Sequence, residues 1–501
     1  MDQFFGAFLP LFQPLPLLLL VSCSFAGIIF GAIPGLSGGM GVSLLLPLTF
    51  GTDPLLGFAA MIGMWVGGVS GGFIAAVLIG IPGTPSSIAT CFDGYPMSRN
   101  GETVKALSIG IVASFIGTLA STIIAVILSP VIARFAVKLG PWEYFSLCFC
   151  AMMLVSSLSG RNIFKGMAGA LFGLLLSMVG TSVMDGVHRF TLGTQYLKSG
   201  VDMVTMMLGM FAFHQIAMDY AGGTQALPKV DAKIKGFGLK LKDVTSNIGV
   251  IVRTFLIGLW IGFLPGMGAG ISNILAYGHA KSTSGNPENF GKGEPAGVWA
   301  SEVSNNASVG GAVIPMISLG IPGDGVTALL LVGLMVHGLQ PGPLFLMSNP
   351  ETAYMIFAAI IVSAFIVLAM QTFGIRWFPK LLGVPYHYLF SAILILCFIG
   401  AFTSANNIVS IFAAILFGMI GILLDYFDIP MGPMVLSFIL GSKIEEYLRK
   451  GISYTDEGIS AFVTRPVSLL FLLLGVASFV WPLIKNKLAR SGGSKFNAEK
   501  T

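Results

Sequence analysis

Residues 27–39 read GIIFGAIPGLSGG, and residues 258–270 read GLWIGFLPGMGAG. Both contain Gly-x-x-x-Gly-x-x-Pro-Gly: Gly27, Gly31, Pro34 and Gly35 answer to Gly258, Gly262, Pro265 and Gly266 at a constant shift of 231 residues. Gly39 likewise meets Gly270. A second block, Gly80-Ile81-Pro82-Gly83, recurs as Gly320-Ile321-Pro322-Gly323 at a shift of 240, where Val69, Gly71 and Ile74 also match Val309, Gly311 and Ile314. The nine extra residues fit a polar insertion around His279–Gly297. In a chain with 65 glycines a single match means little. Two ordered blocks with Pro-Gly at the same places mark an internal duplication.

The surroundings of these blocks are apolar. Hydrophobic residues make up 55% of 501 positions and charged residues 10%, with a mean hydropathy of +0.87. Soluble chains carry about a quarter charged residues. Lipid is therefore the main solvent, and the chain is expected to be an all-α integral membrane protein. Counting apolar runs long enough to cross a bilayer predicts about 11–13 segments, some broken or re-entrant because Gly and Pro interrupt them. The first begins near Leu15; with no basic residues before it and a run too long for a signal-peptide core, it is expected to be retained.

Loop charge predicts how the copies are related. The polar stretch Tyr220–Asn247 carries Lys229, Lys233, Lys235, Lys240 and Lys242 against Asp231 and Asp243. The C-terminal tail adds Lys485, Lys487, Arg490, Lys495 and Lys500. Both are expected to be cytoplasmic. The first fourteen residues contain no Lys or Arg, which places the N-terminus on the other side. The helix ending at Pro34 then runs inward and the one ending at Pro265 runs outward, giving inverted repeats. A parallel duplication, or shared packing glycines, is the alternative. The expected organisation is repeat 1 over 1–220, a basic linker over 221–247, repeat 2 over 248–464, and a final helix and tail over 465–501.

The four Pro-Gly breaks are the sharpest local signals. Proline removes a backbone donor, and inside lipid the freed groups must be satisfied by protein or by a watery cavity. A half-helix starting after such a break presents free N–H groups and the positive end of its dipole, an anion site that needs no basic side chain. The candidate substrate contacts are Gly35, Ser37, Gly38 and Gly39 at the first break. Gly83, Thr84, Pro85, Ser86 and Ser87 follow at the second, with the hydroxyl residues expected to cap a helix. Gly266, Gly268, Gly270, Ser272 and Asn273 belong to the third, and Gly323 to the fourth. Unwound carbonyls at such tips suit Na⁺, with Asn305, Asn306 and Asp324 as its candidate neighbours. Pro-kinked packing helices are the alternative, and Gly27, Gly31, Gly258 and Gly262 are expected to serve close helix contact. Asp219, Arg253, Glu302 and Asp425 lie near the ends of apolar runs and are expected at an interface.

Other function classes leave no mark. A net charge of +5 is spread over short loops with no continuous basic face, so no nucleic-acid partner is expected. Cys23, Cys91, Cys148, Cys150 and Cys397 read as apolar packing residues, and the five histidines show no paired metal spacing. The nearest approach to a phosphate-binding loop, Gly278 to Lys281-Ser282, has Ala280 in place of the second glycine. Neither a His-Glu-x-x-His nor a Gly-x-Ser-x-Gly signature is evident, so an enzyme is not expected; a channel, which also uses broken helices and backbone carbonyls, is harder to exclude.

The blocks GAIPGLSGGMGVSLLLPLTFG (31–51), GIPGTPSSIATCFDGYP (80–96), GFLPGMGAGISNILAY (262–277) and SLGIPGDGVTALLLVGL (318–334) resemble the tripartite tricarboxylate transporter family, in its large membrane subunit, TctA. The likeness spans nearly the whole chain. It implies a bacterial inner-membrane secondary transporter for citrate or other small carboxylates, driven by an ion gradient, often Na⁺. It also implies two partners, a small membrane subunit (TctB-like) and a periplasmic solute-binding protein (TctC-like) that largely selects the ligand. The substrate, the coupling ion, the oligomeric state and the choice between rocking and elevator movement stay open at this point. A stand-alone anion channel or exporter is the alternative.

Overall fold

A computed structural model describes residues 2–158, 162–182, 184–221, 234, 236–381 and 386–496. Lys229, Asp231, Lys233, Lys235 and Lys500 lie outside them. The described residues are predominantly helical; a two-residue ladder pairing Gly180–Thr181 with His188–Arg189 is the sheet they contain. The all-α membrane class follows directly, because a helix satisfies its own backbone groups in lipid.

Five helical stretches are long and apolar enough to cross a membrane: Pro14–Ala32, Pro54–Ile79, Thr103–Ala136, Pro350–Lys380 and Ile408–Tyr426. A sixth arises if Gly458–Thr464 and Pro466–Trp481, bent by 84°, count as one span. This is fewer than the number of apolar runs, for two physical reasons. The breaks cut some runs into short helices such as Gly38–Leu48, Ile248–Phe263 and Gly325–Val336. Others, above all Pro295–Leu319, are long but carry polar residues and are buried nearly all round by protein.

The chain forms two compact units. One comprises Met1–Val137 and Asp202–Ile422, and the other Lys138–Val201 and Leu423–Thr501. In the second unit, Pro141–Leu158 packs on Met431–Ser453 and Pro466–Phe496. Trp142 Nε1 donates to the Gly451 carbonyl at 2.9 Å, and the Arg465 guanidinium lies 3.5 Å from the Trp142 ring centroid. A bidentate pair joins Arg189 to Glu445 at 2.9 and 3.0 Å, and Arg449 bridges Glu445 and Asp185, each at 2.9 Å.

In the first unit the sequence repeat is also a repeat of contacts. Helix Pro14–Ala32 lies on Pro54–Gly71, and Ile248–Phe263 lies on Pro295–Leu319. A β-carbon on Gly27 would strike the Met64 carbonyl, and one on Gly258 the Ser304 carbonyl. Gly31 meets the Gly68 carbonyl as Gly262 meets that of Ser308; Gly71 meets Ile28 as Gly311 meets Leu259. Each pair of partners is related by the shifts read from the sequence. These glycines serve close helix approach, as small-xxx-small rows do. Gly80 and Gly320, at φ +72° and +68°, each end a helix in the left-handed region before the following Pro-Gly break.

Candidate functional site

All four breaks lie in the first unit, and each is built from local chemistry. After Pro34-Gly35 the Ser37 hydroxyl accepts from Met40 N at 3.1 Å and caps helix Gly38–Leu48. After Pro322-Gly323 the Asp324 carboxylate accepts from Thr327 N and Thr327 Oγ1, both at 2.7 Å, capping helix Gly325–Val336. Asp324 is thus already engaged as a cap. After Pro265-Gly266 helix Gly268–Ser282 begins with no side-chain cap.

The second break departs from expectation. No full helix starts at Thr84; a single 3-10 turn, Pro85–Ser87, precedes helix Thr90–Arg99. Thr84 makes no capping bond, its hydroxyl instead meeting Ser86 Oγ at 2.8 Å. Proline at the second position of the turn and the two hydroxyls, which compete for local bonds, favour this tight turn over a longer helix.

The breaks converge. Gly266 N donates to the Gly323 carbonyl at 2.7 Å, tying the third to the fourth. A β-carbon on Gly268 would lie 3.1 Å from Asp324 Cβ, and one on Gly39 3.3 Å from Val326 Cγ2. Asn273 joins the third break to the second, its Nδ2 donating to the Pro85 carbonyl at 3.3 Å and its Oδ1 accepting from Ala89 N at 3.2 Å. Gly270 faces the same Pro85 carbonyl. Gly83 packs against the carbonyls of Gly31 and Gly72. At Gly35 the space of a side chain is taken by the Asp219 carboxylate, 2.7 Å from where a β-carbon would stand. Gln215 donates to Asp219 Oδ1 at 3.0 Å, while Oδ2 is buried without a partner.

Three expected residues turn elsewhere. The Ser272 hydroxyl is held by the hydroxyl and carbonyl of Ser304, between helices rather than at the tips. Asn305 and Asn306 belong to a second polar cluster, centred on Glu302. Thr90 Oγ1 lies 2.5 Å from Glu302 Oε1 and 3.0 Å from Ser301 Oγ. The Asn306 amide donates to Ser114 Oγ and the Glu302 carbonyl, both at 3.0 Å, and its Oδ1 accepts from Ser70 at 2.9 Å.

Glu302 corrects an expectation. It is not an interfacial residue; its exposure is 0%. The apolar run made the helix look as if it began at Ser301, whereas it begins at Pro295, two turns earlier. The spacing of Glu302, Asn305 and Asn306, at i, i+3 and i+4 between Ala300, Val303 and Ala307, was the available signal of one buried polar face. Arg253 and Asp425 are exposed.

Comparison with known proteins identifies the family. The model of the tripartite tricarboxylate transporter TctA family matches residues 17–436. An uncharacterized 52.8 kDa protein in the TAR-I ttuC' 3'region of Agrobacterium vitis is 31% identical over 464 residues, 92% of each chain. An uncharacterized protein in the TAR-II ttuC' 3'region of the same organism is 32% identical over 227 residues, 45% of this chain and 94% of its own. No solved structure matches. The chain is a multi-pass membrane protein that belongs to the tripartite tricarboxylate transporter TctA family.

Proposed function

We propose that the protein is the translocating subunit of a bacterial inner-membrane carrier that imports a tricarboxylate or another small carboxylate. A periplasmic solute-binding protein delivers the substrate, a small membrane subunit completes the complex, and an ion gradient supplies the driving force. The observation that carries this reading is the meeting of the four breaks, where the starts of helices Gly38–Leu48, Gly268–Ser282 and Gly325–Val336 come together beside Thr84, Ser86 and Asn273. Free N–H groups at helix starts bind carboxylates without cationic side chains. Two carboxylates, Asp219 and Asp324, stand on the same tips and repel an anion. A cation entering with the substrate offsets that repulsion, which favours a cation-coupled carrier over a bare anion channel. The two sequence repeats, in this reading, are inverted and offer the site to each side in turn.

The test is uptake of labelled citrate and related carboxylates into proteoliposomes, with and without the two partners and with imposed ion gradients. Saturable uptake that requires the partners and a gradient is expected. Flux at channel rates without them would refute the proposal.

A further inference from the structure

Glu302 is a fully buried acid with no counter-charge among the described residues. Among the described residues no Lys, Arg or His pairs with its carboxyl or acts on it. The titratable neighbour that feels its field is the Cys91 thiol on helix Thr90–Arg99, which brings no positive charge. Other groups facing it are neutral: Thr90 from that helix, Ser87 from the turn before it, Ser114 from Thr103–Ala136, and Asn305 and Asn306 from its own helix. An unpaired carboxylate taken out of water is strongly unfavourable.

The hydrogen bonding is also incomplete. Oε1 meets the Thr90 hydroxyl, Oε2 faces the Asn305 and Asn306 amides at 3.5 Å each, too long for a good N–H···O bond, and the Ser87 and Ser114 hydroxyls lie beside the carboxyl. Among the described residues Asn305 Oδ1, in a side chain of 0% exposure, has no hydrogen-bond partner, and the equally buried Ser87 Oγ makes no well-aligned bond although it lies beside the Glu302 carboxyl. Buried polar oxygens are rarely left so. A missing positive charge and an unsatisfied buried carbonyl oxygen therefore coincide.

We infer that Glu302, Asn305 Oδ1 and Ser87 Oγ, with Thr90 beside them, hold one dehydrated Na⁺ ion, the coupling ion of the proposed carrier. This rests on the ion-coupled reading given above. A single acid balances a single charge, whereas Ca²⁺ and Mg²⁺ take more carboxylates or retain water. A proton on Glu302 would also cancel the charge and would make the carboxyl a donor to a neighbouring oxygen; direct Na⁺ binding is what separates the two. The site also offers a route to the substrate. Ser87 and Thr90 flank Ala89, whose N–H is held by Asn273 of the third break. An ion on Ser87 fixes this segment against Asn273, and so assembles the tips where the carboxylate binds.

The test needs neither partners nor carboxylate: binding of radioactive Na⁺ to the purified protein in nanodiscs, with choline as the replacement cation. Saturable binding is expected. Glu302→Gln should weaken it about 100-fold or more, as loss of a buried charge partner does. Asn305→Ala and Ser87→Ala, each removing one neutral oxygen, should weaken it about tenfold. Glu351→Gln, on the exposed start of helix Pro350–Gly374, should bind as the parent does. Absence of Na⁺ binding in the parent overturns the inference, and so does undiminished binding in the Glu302 and Asn305 variants. Should Glu302→Gln fail to fold, the two neutral-oxygen variants decide. Intact Na⁺ binding with no carboxylate uptake by the full complex would overturn the transport reading and leave this site standing.

Discussion

Replacing Gly258 by Ala puts the repeat of contacts to a direct test. The new methyl would collide with the Ser304 carbonyl oxygen and stand 2.7 Å from Ser304 Cα and 2.9 Å from Ala307 Cβ. Two of these atoms are backbone and the third is a β-carbon, so no rotamer change relieves the clash. Overpacking of this kind costs about 1–3 kcal/mol, and the rigid neighbours place it at the upper end. Ala is a better helix former than Gly by about 1 kcal/mol, so the net loss should be about 2 kcal/mol. Gly249, in the same helix Ile248–Phe263, has no atom within 4 Å of its would-be β-carbon. Gly249→Ala should thus gain up to about 1 kcal/mol. The assay is the temperature at which detergent-purified protein loses its monodisperse peak, compared across Gly249→Ala, Gly258→Ala and Gly27→Ala, the last being the first-repeat counterpart. Gly258→Ala and Gly27→Ala should both fall by several degrees while Gly249→Ala holds or rises, taking about 2–4 °C per kcal/mol as a guide. Equal stability of all three would refute the claim that these glycines are kept for backbone contact.

Two further outcomes are expected. Asn273→Ala removes the side chain joining the second and third breaks, leaving Ala89 N and the Pro85 carbonyl unsatisfied; uptake in the reconstituted complex should fall at least about tenfold, at a stability cost of about 1–3 kcal/mol. In the second unit the neighbouring Ser182 hydroxyl, then Arg449 and the Val187 N–H, hold the exposed Asp185 carboxyl well below the usual carboxylate range. A lowered folded value stabilises at neutral pH and loses that contribution as the pH falls through it. Hydrogen-exchange protection over residues 184–189, taken relative to the intrinsic rate at each pH, should accordingly fall with acid in the parent and depend less on pH in Asp185→Asn.

Much of the architecture was legible because its determinants are short-range. The Pro-Gly breaks, the glycine rows and the apolar runs are each local patterns, and the shift between Gly27 and Gly258 returned as a shift between their carbonyl partners. Ser37 and Asp324 do cap the helices that follow them, since capping is settled within three residues. What escaped depends on contacts distant in sequence. Glu302 looked interfacial because hydropathy weighs a residue's flanks, whereas its burial comes from Thr90, Ser114 and their helices some 190–210 positions earlier. Thr84 looked like a cap, but its choice of Ser86 as partner is fixed by the turn itself. The π-helical turn Leu208–Phe213 has no Pro or Gly-Pro signature either. The Gly209 backbone packs there against the Ala414 carbonyl, at 2.5 Å from a would-be β-carbon.

The nine-residue surplus of the second repeat is more than slack chain. Asp93, at 0% exposure, accepts at one oxygen from the N–H groups of Gly291, Gly293 and Glu294, at 2.8, 2.9 and 2.9 Å. Its other oxygen takes the Tyr277 hydroxyl at 2.9 Å. The extra length therefore ends in a clasp fastened to a residue of the opposite copy. Any motion that exposes the substrate tips to one side and then the other must carry residues 277–294 and helix Thr90–Arg99 together as a single piece, because parting them would strip four donors from one buried carboxylate at once.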